Sequence, residues 1–288
     1  MILQLLTGGI LIGGVYALMA VGLTLIFGVM RIVNFAHGEF VMVGMYLTFI
    51  LYSVFGINPY LSVLIVTPVM FLLGWMLNAV LIKRLVGAPH VTQIFVTVGL
   101  SMLLMSLALI IFGADYLSVR SDLTTQVIDL GVLLGVPQVI AFVISMIVSI
   151  AIFIFLKKTF TGKAIRATTQ NRHSATLMGV DVKKIYALTF AIGTALTGLC
   201  AAILLPIYPA YPTIGLGFVL MTFVVVVMGG LGSIPGALIG GLIIGIIETV
   251  SAYYFDPGWK EAFYFVIFIL ILLVRPQGFF GQIGAEEL

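Results

Sequence analysis

Nine apolar runs, at about residues 2–29, 40–55, 60–82, 91–112, 137–156, 185–205, 218–228, 237–250 and 262–274, leave this chain few ways to fold. A helix needs roughly 20 apolar residues to cross the bilayer core, and most of the runs approach or exceed that length. With 62% hydrophobic and 8% charged residues, the chain has too little polar surface to cover a soluble domain of 288 residues. Strands in a membrane barrel would alternate apolar and polar residues, whereas these runs are continuous and the chain holds 32 glycines, as closely packed membrane helices do. The expected fold class is therefore all-α, a polytopic transmembrane helical bundle of about eight to ten spans, with residues 1–288 as one domain. Two of the later runs are short and rich in Gly, the pattern of broken or re-entrant helices.

Charge sets the expected orientation. Seven of the thirteen Lys and Arg residues fall between Lys157 and Lys184, where Asp181 is the one acid. Basic loops stay in the cytoplasm, so residues 157–184 are expected there, together with Lys83, Arg84 and Arg275. Asp115, Asp122 and Asp129 against Arg120 place residues 113–136 outside. Nine crossings would put the N-terminus outside and the C-terminus, with Glu286 and Glu287, in the cytoplasm. The pI near 9.0 is then a matter of topology, and nucleic acid is not an expected partner. Cys200, the single cysteine, excludes an intrachain disulfide and sits in an apolar run as packing. The first run has neither a charged leader nor a small-residue cleavage site, so it is expected to remain in the membrane.

Three segments interrupt the apolar pattern. In GLTLIFGVMRIVNFAHGEFVMVGMY, Arg31, Asn34, His37, Gly38 and Glu39 lie between two spans. They read as a broken helix lining a solute pathway, or as an interfacial turn with Arg31 and Glu39 at the headgroups. In FTGKAIRATTQNRHSATLMGVDVKK, one amphipathic helix would carry Lys163, Arg166, Gln170 and His173 on one face. Ala164, Ala167, Ala175 and Met178 would line another face, with Gly179 ending the helix. Such a helix docks into a partner's groove or lies on anionic lipid. In VMGGLGSIPGALIGGLIIGIIE, Gly232, Gly236 and Gly240 recur every four residues and Gly241 and Gly245 repeat the spacing, a ridge that favours tight helix packing over a ligand role. Glu248 follows as a pathway carboxylate or as a group snorkelling to the outer interface near Asp256, and Glu39 ranks ahead of it as the pathway carboxylate. The stretches 28–44 and 229–245 echo each other, which suggests an inverted repeat.

No P-loop, G-x-S-x-G or H-E-x-x-H motif occurs in the sequence, and His37, His90 and His173 are far apart in it. The chain is expected to be no enzyme, to hold no metal and to draw any ATP energy from another subunit.

The stretches RIVNFAHGEF, GKAIRATTQNRHSATLMGVDV with LTFAIGTALTGL, and VVVVMGGLGSIPGALIGGLIIGIIE resemble the LivH-like permease subunits of ABC importers for branched-chain amino acids, and the resemblance runs over essentially the whole chain. It implies a pairing with a LivM-like second permease, two cytoplasmic ATPase subunits that bind ATP and Mg, an external solute-binding protein, and a bacterial inner-membrane location. It implies that Asn34, His37, Gly38 and Glu39, with Gly229, Gly230, Gly232 and Ser233, flank the translocation route. It also implies that Gly162, Lys163, Arg166, Asn171, Met178 and Gly179 belong to the segment that docks into the ATPases. Urea or short-amide permeases share these motifs, and a transporter or channel acting without ATPases remains an alternative.

Overall fold

The computed structural model describes residues 1–120, 122–129 and 131–281, so Glu286 and Glu287 lie outside the described residues. The helices in chain order are α1 (Ile2–Met30), α2 (His37–Phe55), α3 (Pro59–Val80), α4 (His90–Phe112), α5 (Val136–Lys158), α6 (Phe160–Gln170), α7 (Arg172–Leu177), α8 (Val182–Leu204), α9 (Ile214–Gly229), α10 (Ile234–Tyr254) and α11 (Lys260–Val274). A small antiparallel hairpin, β1 (Val127–Asp129) with β2 (Leu133–Gly135), precedes α5.

Seven of these helices are long and apolar enough to cross a membrane, and the shorter apolar α9 and α11 hold the remaining two apolar runs. The molecule is a multi-pass membrane protein built as a helical bundle. α1 and α8 are mostly buried and form its centre, whereas α3, α4 and α5 leave most of their apolar surface outward, where lipid replaces protein as the neighbour. Local signals set the helix starts. Asn58 caps α3 through Tyr60 N–H with Pro59 at the first position, and Ser233 caps α10 through Gly236 N–H with Pro235 in the first turn.

One end of the bundle carries Lys83, Arg84, Lys157, Lys158 and the α6–α7 segment; it is called the basic end here. At the far end, the Gln4 side chain of α1 bonds Leu133 of the hairpin, the Tyr52 hydroxyl donates to the Arg120 carbonyl, and Leu117 pairs with Ala210.

α1 packs along α10 and α8 along α3; α1 touches α9 and α8 touches α2; α2 touches α3 and α9 touches α10. Exchanging α1–α3 with α8–α10 maps this pattern onto itself. Five spans precede α8, so it runs opposite to α1, and the two triplets form an inverted repeat. The repeat does not relate residues 28–44 to 229–245, as the sequence echo suggested. It relates the break at 31–36 to the break at 205–213, and the 229–233 turn to the short turn between α2 and α3.

The α1–α10 seam shows what holds such helices together where lipid is as apolar as leucine. Gly9 and Gly13 face Gly245 and Gly241, and a Cβ added at Gly245 would lie 2.4 Å from the Gly13 Cα. Backbones in that contact gain dispersion that side chains would block, so the Gly ridge of α10 is a packing surface. Gly236 and Gly240 serve the same end against Gly229 and Val225 of α9.

Candidate functional site

The first polar break dips deep into the bundle. α1 ends at Arg31 in the left-handed region, φ 52°, and the chain turns back through buried Ile32, Asn34 and Ala36. His37 Nε2 donates to the Met19 carbonyl at 3.2 Å. Met19 stands eleven residues before the end of α1, so at 1.5 Å per residue the chain has returned by about 16 Å before α2 begins. Backbone groups freed by this unwinding need partners where water is scarce. Asn34 Oδ1 accepts from Ala36 N–H at 3.1 Å, and Thr97 of α4 donates to the Val33 carbonyl at 3.3 Å.

Glu39 lies in the first turn of α2, where its negative charge suits the helix N-terminus. It is fully buried, and Ser101 of α4 donates to its Oε1 at 3.2 Å. The headgroup pairing with Arg31 that the sequence allowed does not describe this environment: Glu39 sits at mid-depth, and Arg31 is exposed at the end of α1. Beside Glu39, Gly38 meets Gly215 in the first turn of α9, at the position that the repeat relates to it. Two helices thus begin inside the bundle with their N-termini in contact.

The second predicted group does not join the first. Gly229, Gly230, Gly232 and Ser233 form the turn between α9 and α10 at the basic end, about 20 Å away along α9. Gly230 takes φ 103°, and the turn is closed by Phe279 N–H donating to the Met228 carbonyl at 2.8 Å and Phe280 N–H donating to that of Gly229 at 3.1 Å. Gly232 also stands against Gly28 near the end of α1.

A cavity of about 290 Å³ lies in the far half of the bundle, and no sequence pattern marked it as a unit. Ile214, Phe218 and Met221 of α9 form an apolar wall, and Tyr16, Glu248 and Lys260 supply polar groups. Lys260 Nζ donates to Glu248 Oε1 at 2.9 Å, so of the two readings of Glu248 the structure does not show the one that snorkels toward Asp256. Tyr208 lines the same cavity as Tyr16 and Glu248. Glu248 Oε2 is buried without a hydrogen-bond partner among the described residues. Sequence reasoning singled out Glu248 and missed Lys260, the cation twelve residues later.

At the basic end, the expected single amphipathic helix is two. α6 stops where Asn171 becomes extended, φ −154°, and the Asn171 side chain caps α7 by accepting from Ser174 N–H at 3.0 Å. Gly162, Ala164, Ile165 and Thr168 bury one face of α6, and Lys163, Arg166 and Gln170 are exposed on the other. Gly162 rests on the backbone of Phe155 and Leu156, a contact that fixes α6 against the end of α5. Ala175 is buried, and Met178, 85% exposed, lines a shallow groove together with Ala167 and Ala175. Gly179 ends the segment at φ 83°. Asp181 caps α8, and the Lys184 backbone N–H with the nearby Lys184 ammonium holds its carboxyl below the usual range. That ion pair is exposed and adds little stability.

Residues 5–274 match the family described as branched-chain amino acid transport system / permease component. The chain is 29% identical over 302 residues to the high-affinity branched-chain amino acid transport system permease protein LivH of Salmonella typhimurium, covering 99% of this chain and 97% of that protein. It is 31% identical over 303 residues to the permease protein BraD of Pseudomonas aeruginosa, with the same coverage. A probable LivH of Methanocaldococcus jannaschii is 30% identical over 299 residues, 96% of this chain and 92% of that protein. No solved structure matches the chain.

Proposed function

The chain belongs to the family of permease components of branched-chain amino acid transport systems, and from that premise we propose that it is the membrane-spanning subunit of an ATP-driven importer for leucine, isoleucine and valine. It forms a single permease domain in the bacterial inner membrane, with its basic end in the cytoplasm and its C-terminus there too. It is not an enzyme and holds no cofactor of its own; ATP and Mg bind to partner ATPases. A LivM-like second permease completes the pathway, and an external solute-binding protein delivers the amino acid at the far end.

The observation that carries this reading is the pair of helices, α2 and α9, that begin inside the bundle and meet at Gly38 and Gly215. A helix whose N-terminus ends in the membrane leaves backbone N–H groups and a partial positive charge at mid-depth, which favours an anionic group such as a substrate carboxylate. Helices that only anchor a protein have no need of such breaks. α6 and α7 present Lys163, Arg166, Asn171 and Met178 at the basic end as the surface on which the ATPases pull. Closure of the ATPases moves this segment, and because Gly162 couples α6 rigidly to α5, the motion reaches the bundle and exchanges outward-open for inward-open states.

Purification in mild detergent from the native host, followed by identification of the bound chains, tests the proposal. Recovery of two ATPases and a second permease supports it. A chain that purifies alone, or an assembly stimulated by urea or acetamide and not by leucine, overturns it.

A further inference from the structure

We propose that the cavity around Glu248 and Lys260 is a transit site for a zwitterionic amino acid with an apolar side chain, an assignment that rests on the importer reading and gives it an atomic location. Glu248 is 8% exposed, and one of its carboxylate oxygens has no partner among the described residues. A buried carboxylate with a free oxygen, in a cavity that Tyr16 and Tyr208 also line, is an acceptor for an α-ammonium group. Lys260 has three N–H donors and its one carboxylate contact here is with Glu248 Oε1, so donors remain for an α-carboxylate.

The α9 N-terminus borders the same cavity. Ile214 and Gly217 line it, and although the Ile214 and Leu216 N–H groups already donate to the Tyr211 and Thr213 carbonyls, the positive end of the helix dipole reinforces Lys260. Ile214, Phe218 and Met221 then offer an apolar wall to the side chain. A volume of about 290 Å³ is at the small end of ligand sites, as suits a single amino acid. When empty, Glu248 and Lys260 pair with each other, and the exposed Glu261 adds one negative charge at the solvent side of the cavity. A zwitterion inserted between them replaces one ion pair by two, so entry leaves no buried charge unpaired and exit restores the original pair, as a weak transit site requires.

The test is cysteine labelling in the complete assembly, reconstituted in phosphatidylglycerol liposomes that supply no zwitterionic headgroup. Met221→Cys places a thiol on the apolar wall, and the native Cys200 is buried. Millimolar leucine is expected to slow maleimide labelling of the Met221→Cys variant roughly tenfold, and adding Glu248→Gln with Lys260→Gln is expected to abolish the protection. Two analogues that each lack one charge, 4-methylpentanoate and leucinamide, are expected to protect weakly. The same readout works without transport. Protection without leucine uptake supports the site and overturns the importer reading, whereas uptake without protection, or protection that survives the double substitution, overturns the site.

Discussion

A Cβ placed on Gly38 would lie 2.0 Å from the carbonyl oxygen of Gly215, so the first turns of α2 and α9 touch backbone to backbone in the middle of the bundle. Neither position has room for a methyl group, because a Cβ on Gly215 would stand 2.3 Å from Glu39 Oε2. Gly38→Ala or Gly215→Ala should therefore force the two helix starts apart, at a cost of about 1–3 kcal/mol or more. Thermal unfolding in detergent should show a lower midpoint for both variants, with uptake reduced in parallel. Gly99→Ala, where nothing lies within 4 Å, is the control and should unfold like the parent.

Ser101 is the one hydrogen-bond donor that holds the Glu39 carboxyl among the described contacts. Removing it alone strands a buried polar group, at a cost of about 1–3 kcal/mol, while removing both groups together costs far less. A double-mutant cycle of Ser101→Ala with Glu39→Leu should report a coupling of about 1 kcal/mol in the unfolding free energy. Additive effects would show that the two side chains do not interact.

The Glu248–Lys260 pair obeys the same asymmetry. Lys260→Met leaves a carboxylate in the cavity without its cation; the full penalty for breaking a buried pair is about 3–5 kcal/mol, and partial exposure of Lys260 reduces it. The single variant should unfold at lower temperature than the Glu248→Gln, Lys260→Gln double variant. The reverse order would mean that the pair is a surface contact without structural weight.

Asn171 separates α6 from α7, and its side chain is the α7 cap. Asn171→Ala should loosen the short α7 by about 1 kcal/mol, the usual worth of such a cap. Faster amide hydrogen exchange across 172–177, with α1 and α8 unchanged, is the expected result. Unchanged exchange would show that contacts from Ala175 suffice to hold α7.

The helical bundle was legible in the sequence because apolar length alone dictates it, and each of the nine runs lies in a helix. The re-entrant course through Asn34 to Glu39 was half legible. Ionisable residues between spans signalled a break, but the depth to which the chain returns is set by His37 reaching Met19, a contact between residues eighteen apart. The α6–α7 break was missed because helical spacing continues through Asn171, and a capping residue in the middle of a periodic segment can serve either as surface or as a stop. Lys260 was missed for a different reason. It opens the last apolar run and reads as an ordinary interfacial lysine until α10 and α11 fold side by side. The signal that could have found it was Glu248 itself, since a carboxylate at the end of a span calls for a cation on a neighbouring one.

The measurement that bears most directly on the account is ATP hydrolysis by the reconstituted assembly, with leucine and its binding protein added, for the parent chain and for the Arg166→Glu, Met178→Glu double variant. Both side chains are exposed, so the variant should insert and fold normally. The account predicts that leucine stimulates hydrolysis in the parent and that the stimulation and leucine uptake are lost together in the variant. Uptake of leucine by this chain without ATPases, or full stimulation in the variant, would contradict it.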